Sequence, residues 1–356
     1  VNFSDSVAIA ARSGFGPGTF NNVGGTLAVA AGKSGSVTVE NANFSGNSTF
    51  DTSAPGSSFV LAPALSANYS GSLDVVGNGV TFAAGGATHM VADGTMLNGN
   101  MTLVGGAMQL GSVQILGDFV HSGGSLATGA GKTVNVVAGG SLTLANGATL
   151  GGSGTLINEG TVNFSNNTLA HAIQNSGAMV MNGANTFTGS SFMHDGGTLT
   201  LASAGALTKS GGTFEWAGGD LQGVGAGLSL TGGATATISG GGSKVLNGVN
   251  VTAVSTDVVT GTLEVQSGSL STGITTIAAG ATLLHSGGSL VTGALTNDGT
   301  FQHTGTGSSF ISGGGTHTGT FIADTGAGIE FSGGAHAFNG ATFSGGGTFS
   351  RTAATM

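Results

Sequence analysis

The stretch Asn182-Gly-Ala-Asn-Thr-Phe-Thr-Gly-Ser-Ser-Phe-Met-His-Asp-Gly-Gly-Thr-Leu-Thr-Leu201 ends in two glycines followed by alternating small and apolar residues. One short unit is reused, because this ending recurs with variations along the whole chain. Repetition at a spacing of tens of residues is typical of a stacked-repeat architecture. Variants of the ending begin at Gly24, Gly139, Gly211, Gly261 and Gly287.

Composition favours strands over helices. The 356 residues include 72 glycines, and only 6% of them are charged, so the usual helix formers Glu, Lys and Arg are scarce. A hydrophobic fraction of 39% nevertheless provides apolar surface to bury, which argues against disorder. Val, Thr, Ile and Phe occupy alternating positions in the short runs, as half-buried strands require.

The repeat length points to a parallel β-helix. Phe301, Phe321 and Phe343 recur at a nearly constant interval. A unit of about 20 residues with two or three short strands, each bounded by Gly, Asn or Ser, is what one coil of such a helix needs. A propeller, with blades of about 40 residues, and an antiparallel sandwich with two-residue hairpins both fit less well. We therefore expect an all-β, single-stranded parallel β-helix (β-solenoid) whose coils have about 20 residues each.

The prolines divide the chain. Pro17, Pro55 and Pro63 are the only three, and all lie near the N-terminal end. Proline removes a backbone donor from a ladder. We expect residues 1–70 to be a less regular N-terminal part of the solenoid and residues 71–356 to be the regular parallel β-helix.

Several function classes are disfavoured. The absence of cysteine excludes disulfides and cysteine-based metal or redox chemistry. A net charge of −9, with the few cations scattered singly, argues against nucleic-acid partners. No run reaches the roughly 18 apolar residues of a membrane span. The chain begins at Val1 without an initiating Met, so we expect a processed or trimmed start and any export signal outside it. The cations are Arg12, Lys33, Lys132, Lys209, Lys244 and Arg351.

The opening stretch resembles the autotransporter-associated β-strand repeat. Gly183 to Gly189 reads Gly-Ala-Asn-Thr-Phe-Thr-Gly, and Gly196 to Leu201 reads Gly-Gly-Thr-Leu-Thr-Leu. These two segments match well, and much of the remaining chain has a looser likeness shared with filamentous haemagglutinin-like adhesins. The resemblance implies a right-handed β-helical passenger-type segment, exported and displayed on the bacterial cell surface in adhesion, biofilm or fibre roles. It supplies no active site.

An enzymatic alternative depends on three residues. Glu215 and Asp220 flank the only tryptophan, Trp216, and two carboxylates beside an aromatic sugar platform are what glycoside hydrolysis asks for. The alternative function is therefore a carbohydrate-binding or carbohydrate-cleaving β-helix. The competing interpretation is that Glu215 points outward from a strand whose inward residues are Phe214 and Trp216, with Asp220 in the following turn.

The eight histidines raise the question of a metal site. His194-Asp195 and the pair His303 and His317 are the places to look, but no second ligands follow at zinc-site spacing. We interpret the histidines as surface or turn residues and expect no metal, cofactor or catalytic residue. Ice binding would need one threonine-rich flat face in every coil, and the runs at Thr200 and Thr316 do not predict such a row.

The function expected from the sequence is mechanical. We expect a non-enzymatic extracellular structural protein, a stalk, adhesin or fibre subunit that projects or self-associates. Neither terminus offers a helical or charged cap, which suggests either a longer parent chain or head-to-tail stacking into filaments, besides lateral packing. Surface glycans or other cell-surface molecules are the further partners expected, and any specific contact is expected on irregular loops such as Asp51 to Tyr69.

Overall fold

The computed structural model describes residues 2–3, 7–9, 20–29, 35–39, 42–62, 67–83, 88–145, 148–202 and 206–353. Every regular element within these ranges is a β-strand, and they contain no helix. The chain divides into two compact units, residues 1–173 and 174–356.

The described strands of the first unit are mostly short. From β6 to β22 they have two to six residues each. Their bounds are β1 Asn2–Phe3, β2 Val7–Ile9, β3 Phe20–Val29, β4 Gly35–Val39, β5 Ala42–Thr52, β6 Ser57–Leu61, β7 Ala67–Tyr69, β8 Ser72–Gly77, β9 Val80–Phe82, β10 Thr88–Val91, β11 Thr95–Asn98, β12 Met101–Leu103, β13 Ala107–Leu110, β14 Val113–Ile115, β15 Asp118–His121, β16 Ser125–Thr128, β17 Thr133–Val136, β18 Ser141–Leu144, β19 Leu150–Gly152, β20 Thr155–Asn158, β21 Thr161–Ser165 and β22 Thr168–Leu169.

The second unit contains longer strands that run across corners of the coil. The longest has 19 residues. The bounds are β23 Ala172–Asn175, which lies at the boundary, β24 Ala178–Asn182, β25 Ala184–Phe187, β26 Ser191–Leu201, β27 Ala206–Ser210, β28 Thr213–Thr231, β29 Thr235–Ile238, β30 Ser243–Val258, β31 Thr262–Val265, β32 Gly268–Ile277, β33 Thr282–His285, β34 Ser289–Asn297, β35 Thr300–His303, β36 Gly307–Ile311, β37 Gly315–His317, β38 Thr320–Ala323, β39 Ala327–Phe331, β40 His336–Phe338, β41 Thr342–Ser344 and β42 Thr348–Arg351.

The described pairings inside each unit are parallel and join a strand to its equivalent one coil further along. Met101 lies opposite Phe119, whereas Phe50 lies opposite Val75 and so encloses a longer coil. The coils therefore vary around a length of about 20 residues. The predicted all-β parallel β-solenoid is confirmed, while the right-handed sense of winding stays a prediction.

Alternation along each strand builds the interior. In β18, Leu142 and Leu144 are buried, whereas Ser141 and Thr143 face outward. Because neighbouring coils pair in register, inward residues stack in columns along each unit. Burial of each large apolar side chain stabilises the fold by about 1.5 to 3 kcal/mol. One such column runs through Leu103, His121, Leu144 and Phe164.

Glycine permits the close approach of successive coils. Gly152 has a φ of +90°, and a Cβ atom placed on it would lie 1.9 Å from the carbonyl oxygen of Thr128 in the coil below. No side chain fits there, because real Cβ contacts are far longer and the left-handed backbone itself disfavours L residues. This clash explains why glycine is required at such turns.

The stretch Asp51 to Tyr69 was expected to be an irregular loop, and this expectation is wrong. It contains β6 and β7, and β6 pairs along its whole length with β4. Pro55 sits in the turn from Ala54 to Ser57, where the Ser57 amide donates to the Ala54 carbonyl over 3.1 Å. The proline thus falls between strands, where its missing N–H costs no ladder bond.

The expected irregularity of residues 1–70 concerns a region only partly described. Residues 1, 4–6, 10–19, 30–34, 40–41 and 63–66, which include Pro17 and Pro63, lie outside the described ranges. The division at residue 70 stays a prediction.

Candidate functional site

Glu215 and Trp216 lie on opposite faces of β28. Glu215 faces outward and accepts a hydrogen bond from the Ser239 hydroxyl over 2.6 Å, whereas Trp216 is only 1% exposed. Asp220 is exposed further along the same strand, so the expectation that it lies in the following turn is wrong. The outward interpretation of Glu215 is confirmed, and period-2 alternation between Phe214 and Trp216 is the signal that found it.

Trp216 is an interior residue and offers no sugar platform. Its indole N–H donates to the Gly219 carbonyl over 3.0 Å, and its ring stacks on His194 with centroids 6.5 Å apart. An apolar cavity of about 20 Å³ lies against its ring, a space no larger than a water molecule. The arrangement needed for the carbohydrate-cleaving alternative is therefore not assembled around Trp216.

All eight histidines point into the solenoid. Their exposed fractions are between 0% and 5%, so the expectation of surface histidines is wrong. His171 lies in a bend between β22 and β23. Strand alternation places the other seven inside: in β33 and β35, the histidine follows an inward Leu283 or Phe301 by two positions. The buried histidines are His89, His121, His171, His194, His285, His303, His317 and His336.

The histidines pair with partners other than those considered from sequence. His303 stacks on His285, with ring centroids 4.4 Å apart, and not on His317. His317 instead lies against His336, with 3.0 Å between its Nε2 and the Nδ1 of His336. Since coil length varies, spacing alone did not reveal these partners. No group of three or more His, Cys, Asp or Glu suited to a metal ion occurs among the described residues.

His194 illustrates how a buried imidazole is satisfied. Its Nε2–H donates to the Asp220 backbone carbonyl over 3.0 Å, and its Nδ1 lies 3.0 Å from the side-chain Nδ2 of Asn175. A neutral ring meets both contacts, because it donates through one nitrogen and accepts through the other. His194 is thus a structural residue and does not form a site with the neighbouring Asp195 carboxylate.

Burial controls the ionisation of these rings. It lowers the pKa of His171 to about 4, and burial followed by the nearby His336 lowers the pKa of His317 to about 4. Desolvation disfavours the charged form, so these imidazoles are neutral at pH 7. Burial also lowers the pKa values of His89, His121, His194, His285 and His336.

Two lysines also face the interior, which sequence reasoning missed. The Lys209 ammonium donates to the Gly189 carbonyl over 2.7 Å, and the Lys244 ammonium donates to the Gly240 carbonyl over 2.7 Å. Burial lowers the pKa of both groups. Both follow the strand alternation, since Leu207 and Leu246 are the neighbouring inward residues. Lys33 and Arg12 lie outside the described residues.

The outward carboxylates are held by the next coil. Hydroxyl groups donate to them over 2.6 Å in the pairs Ser141 to Asp118 and Thr318 to Asp298. In the described part of the chain, the one ion pair joins Lys132 and Asp93 over 2.6 Å. These contacts fasten coils to one another and leave the described carboxylates dispersed.

A ladder of hydroxyl groups lines one outer face of the second unit. Thr282 and Thr300 lie directly opposite each other on β33 and β35. The ladder is built from residues other than the runs at Thr200 and Thr316, and the second outward column on these strands is mixed. The ladder comprises Ser243, Thr262, Thr282, Thr300, Thr320 and Thr342, and the second column comprises Val245, Glu264, Leu284, Gln302, Ile322 and Ser344.

Two surface features could contact another molecule. On the second unit, Val291 and Phe310 lie opposite each other and are 43% and 44% exposed, and Val254 on β30 and Ile274 on β32 are also exposed. On the first unit, a shallow groove of about 370 Å³ crosses the outer sides of four strands. Its lining comprises Gly94, Met96, Ser112, Val113, Gln114, Thr133, Asn135 and Ile157.

No protein-family model, no curated protein and no solved structure matches this chain. Among the described residues, no helix is long and apolar enough to cross a membrane. The β-solenoid architecture is therefore the level at which this chain is classified.

Proposed function

We propose that this chain is a non-enzymatic structural protein of the bacterial cell surface, a stalk, adhesin or fibre subunit that works by projecting and by self-association. The observation that carries the proposal is the distribution of its polar groups. The histidines and two lysines are buried as structural residues, and outward carboxylates such as Asp118 and Glu215 are bound by hydroxyls. What remains outside is a weakly charged surface of hydroxyl and amide groups, which suits packing against other surfaces.

Lateral self-association is supported by the exposed pair Val291 and Phe310. Two large apolar side chains on adjacent coils offer a hydrophobic anchor between the polar residues that pair with them, Ser271 and Glu330. Sedimentation velocity across a concentration series, with electron microscopy of the same samples, tests this. Val291→Thr combined with Phe310→Thr is expected to shift the distribution toward monomer, whereas Thr282→Ser is the matched outer-face control. Monomeric particles at every concentration for the unaltered chain would contradict self-association.

Adhesive contact with neutral glycans is the second part of the proposal. The amides of Gln114 and Asn135 lie on adjacent coils within the first unit's groove, beside the apolar side chains of Met96 and Ile157. The exposed Gln114 amide can bind sugar hydroxyls through both its donor and its acceptor atoms, whereas the Asn135 Oδ1 is buried. Binding to a glycan array is expected to fall on Gln114→Ala and to persist on Gln302→Ala, an outward glutamine of the second unit. If Gln114→Ala binds the glycans as well as Gln302→Ala does, the glycan contact lies outside this groove.

The absence of catalysis is also testable. Glu215 is bound by Ser239, and Trp216 is buried, so we expect no release of reducing sugar from a polysaccharide panel. Release that disappears on Glu215→Gln would overturn the non-enzymatic proposal and restore the carbohydrate-cleaving alternative.

A further inference from the structure

Two stacked histidine pairs lie close together in sequence within the second unit. The rings of His285 and His303 are inclined by 16° with centroids 4.4 Å apart, and those of His317 and His336 are inclined by 20° with centroids 5.3 Å apart. All four side chains are at most 5% exposed. Rings this close cannot both carry a positive charge without strong repulsion.

Hydrogen bonding fixes the proton positions of the second pair. The Nε2 of His336 lies 3.0 Å from the Gly333 carbonyl, which can only accept, so this nitrogen carries the proton. The Nδ1 of His336 then accepts from the Nε2–H of His317. The Nδ1 of His317 is left as a buried lone pair with no hydrogen-bond partner. A proton added there would have no acceptor.

The first pair, His285 and His303, also contains a buried nitrogen without a hydrogen-bond partner. The Nδ1 of His285 contacts the Ser309 hydroxyl over 2.7 Å, and the Nδ1 of His303 donates to the Gly328 carbonyl over 2.8 Å. The Nε2 of His285 is buried and has no partner at hydrogen-bonding distance and angle. Burial, followed by the nearby His303, lowers the pKa of His285 more than the backbone at the following turn raises it. Each pair therefore contains one nitrogen that could take up a proton but could not hydrogen-bond it well.

No carboxylate forms an ion pair with these rings among the residues that the structure describes. The Asp298 carboxylate accepts a hydrogen bond from the Thr318 hydroxyl over 2.6 Å instead. Burial and the nearby His336 lower the pKa of His317 more than the charge of Asp298 raises it. The acidic residues on the strands and turns packed around the pairs are Glu264, Asp298, Asp324 and Glu330.

Aromatic rings complete the surroundings of His317. The centroid of its ring lies 5.2 Å from that of Phe321 and 4.9 Å from that of Phe338, with Phe331 at 6.2 Å. These hydrocarbon neighbours supply neither a charge nor a lone pair. An imidazolium at this position would therefore be poorly solvated.

His89 of the first unit differs from the stacked histidines in its hydrogen-bond partners. Its Nε2 lies 3.3 Å from the Ala83 carbonyl, and its Nδ1 lies 2.8 Å from the Tyr69 hydroxyl, whose oxygen can also accept. A doubly protonated His89 would thus retain an acceptor at each nitrogen. In the stacked pairs, the Nε2 of His285 and the Nδ1 of His317 have no such acceptor.

We propose that residues 283–338 form an acid-sensitive segment, which opens when one imidazole of each stacked pair takes up a proton. The open form hydrates the charge and separates the two rings. It also exposes Phe301, Phe321 and Phe331, which supply apolar surface for association. The device would let mild acidity loosen this part of the second unit.

Hydrogen exchange of the whole chain at pH 7.0 and 4.5, corrected for intrinsic exchange rates, tests the proposal. With the folded-state pKa of His317 at about 4 and an ordinary value of 6.5, opening is expected to become about 50-fold more favourable from this residue alone. Protection in peptides covering 283–303 and 315–338 should fall by at least that factor. Peptides covering residues 44–61 should change less.

Matched variants separate this device from general acid damage. His285→Leu with His317→Leu removes both unpartnered nitrogens at similar side-chain volume, and His285→Gln with His317→Gln keeps hydrogen-bonding groups should the leucines disturb folding. Either double variant should retain protection at pH 4.5, whereas the control His121→Leu should leave the acid response of 283–338 unchanged. Unaltered protection of the natural chain at pH 4.5, or equal loss in both double variants, would overturn the proposal.

Discussion

The two units wind their coils alike but fill them differently. A cluster of rings occupies the start of the described interior in the first unit, where Phe44, Phe50, Phe59, Tyr69 and Phe82 lie 5.1 to 5.7 Å apart in successive contacts. In the second unit, phenyl rings share the interior with the stacked imidazoles. Backbone pairing thus fixes which side chains meet, whereas the identity of the inward residues sets how each unit responds to its surroundings.

Removing a central ring from either unit is expected to give the largest effect. Phe321→Ala and Phe59→Ala should each destabilise by about 3 to 5 kcal/mol, because both rings are fully buried and leave a cavity. Urea unfolding can be followed by Trp216 fluorescence for the second unit and Tyr69 absorbance for the first. We expect Phe321→Ala to move the Trp216 transition more than Phe59→Ala does. Identical shifts from both variants would show that the units unfold as one.

Replacing glycine at crowded turns should destabilise both units to the same extent, because both units stack their coils through the same close backbone contacts. Gly152→Ala and Gly248→Ala would place a Cβ atom within 2.0 Å of a carbonyl oxygen in the coil below, at φ values of +90° and +77°. Each should cost more than about 2 kcal/mol, measured by chemical unfolding. The control is Gly139→Ala, which has a φ of +88° but open space around the new Cβ atom, and should cost about 1 to 2 kcal/mol. If Gly139→Ala lowers the unfolding free energy as much as the other two substitutions do, the positive φ alone causes the loss and the close contact does not.

Alkaline pH should act through Tyr69 of the first unit. Burial raises the pKa of this hydroxyl far above its ordinary value of 10, so the folded chain keeps a proton that the unfolded chain releases. Stability should therefore fall as pH rises above 10, by about 1.4 kcal/mol per pH unit. Tyrosinate absorbance should appear only on unfolding, and Tyr69→Phe should remove this part of the pH dependence. Tyrosinate formation in the folded protein near pH 10 would contradict the buried position.

Outer-face substitutions should have the smallest effect and should not distinguish the units. Thr161→Val and Thr282→Val alter half-exposed positions on β21 and β33 without touching the interior. Each should change the unfolding free energy by less than about 0.5 kcal/mol in thermal or urea melts. A loss many times larger than this in Thr282→Val alone would mean that the hydroxyl ladder stabilises the second unit.

The coil pairing and the strand faces could be predicted from the sequence. The alternation of Phe214, Glu215 and Trp216 predicted which way each points, and the recurrence of Phe301 and Phe321 predicted their alignment, which the register shows. Both follow from local periodicity and a repeat length, which a single sequence contains.

The interior polar residues were missed because residue type was weighed above position. Leu283-Leu284-His285 and Leu207-Thr208-Lys209 carry the same alternation as the apolar strands, and they place His285 and Lys209 inside. The general preference of Lys and His for water argued the other way. Their burial is possible because carbonyl groups at the turns, such as that of Gly189, accept their protons. Which histidines meet also depends on coil length, which varies from coil to coil.

Disulfide trapping tests the in-register parallel stacking of coils most directly, since the chain has no cysteine of its own. Thr282 lies opposite Thr300, whereas Thr320 lies one coil further on. Neighbouring strands are about 4.8 Å apart, within the range a disulfide spans, and strands two coils apart are beyond it. Thr282→Cys with Thr300→Cys should form an intramolecular disulfide under mild oxidation, and Thr282→Cys with Thr320→Cys should not. Closure of the second pair, or failure of the first, would contradict the coil stacking on which the account depends.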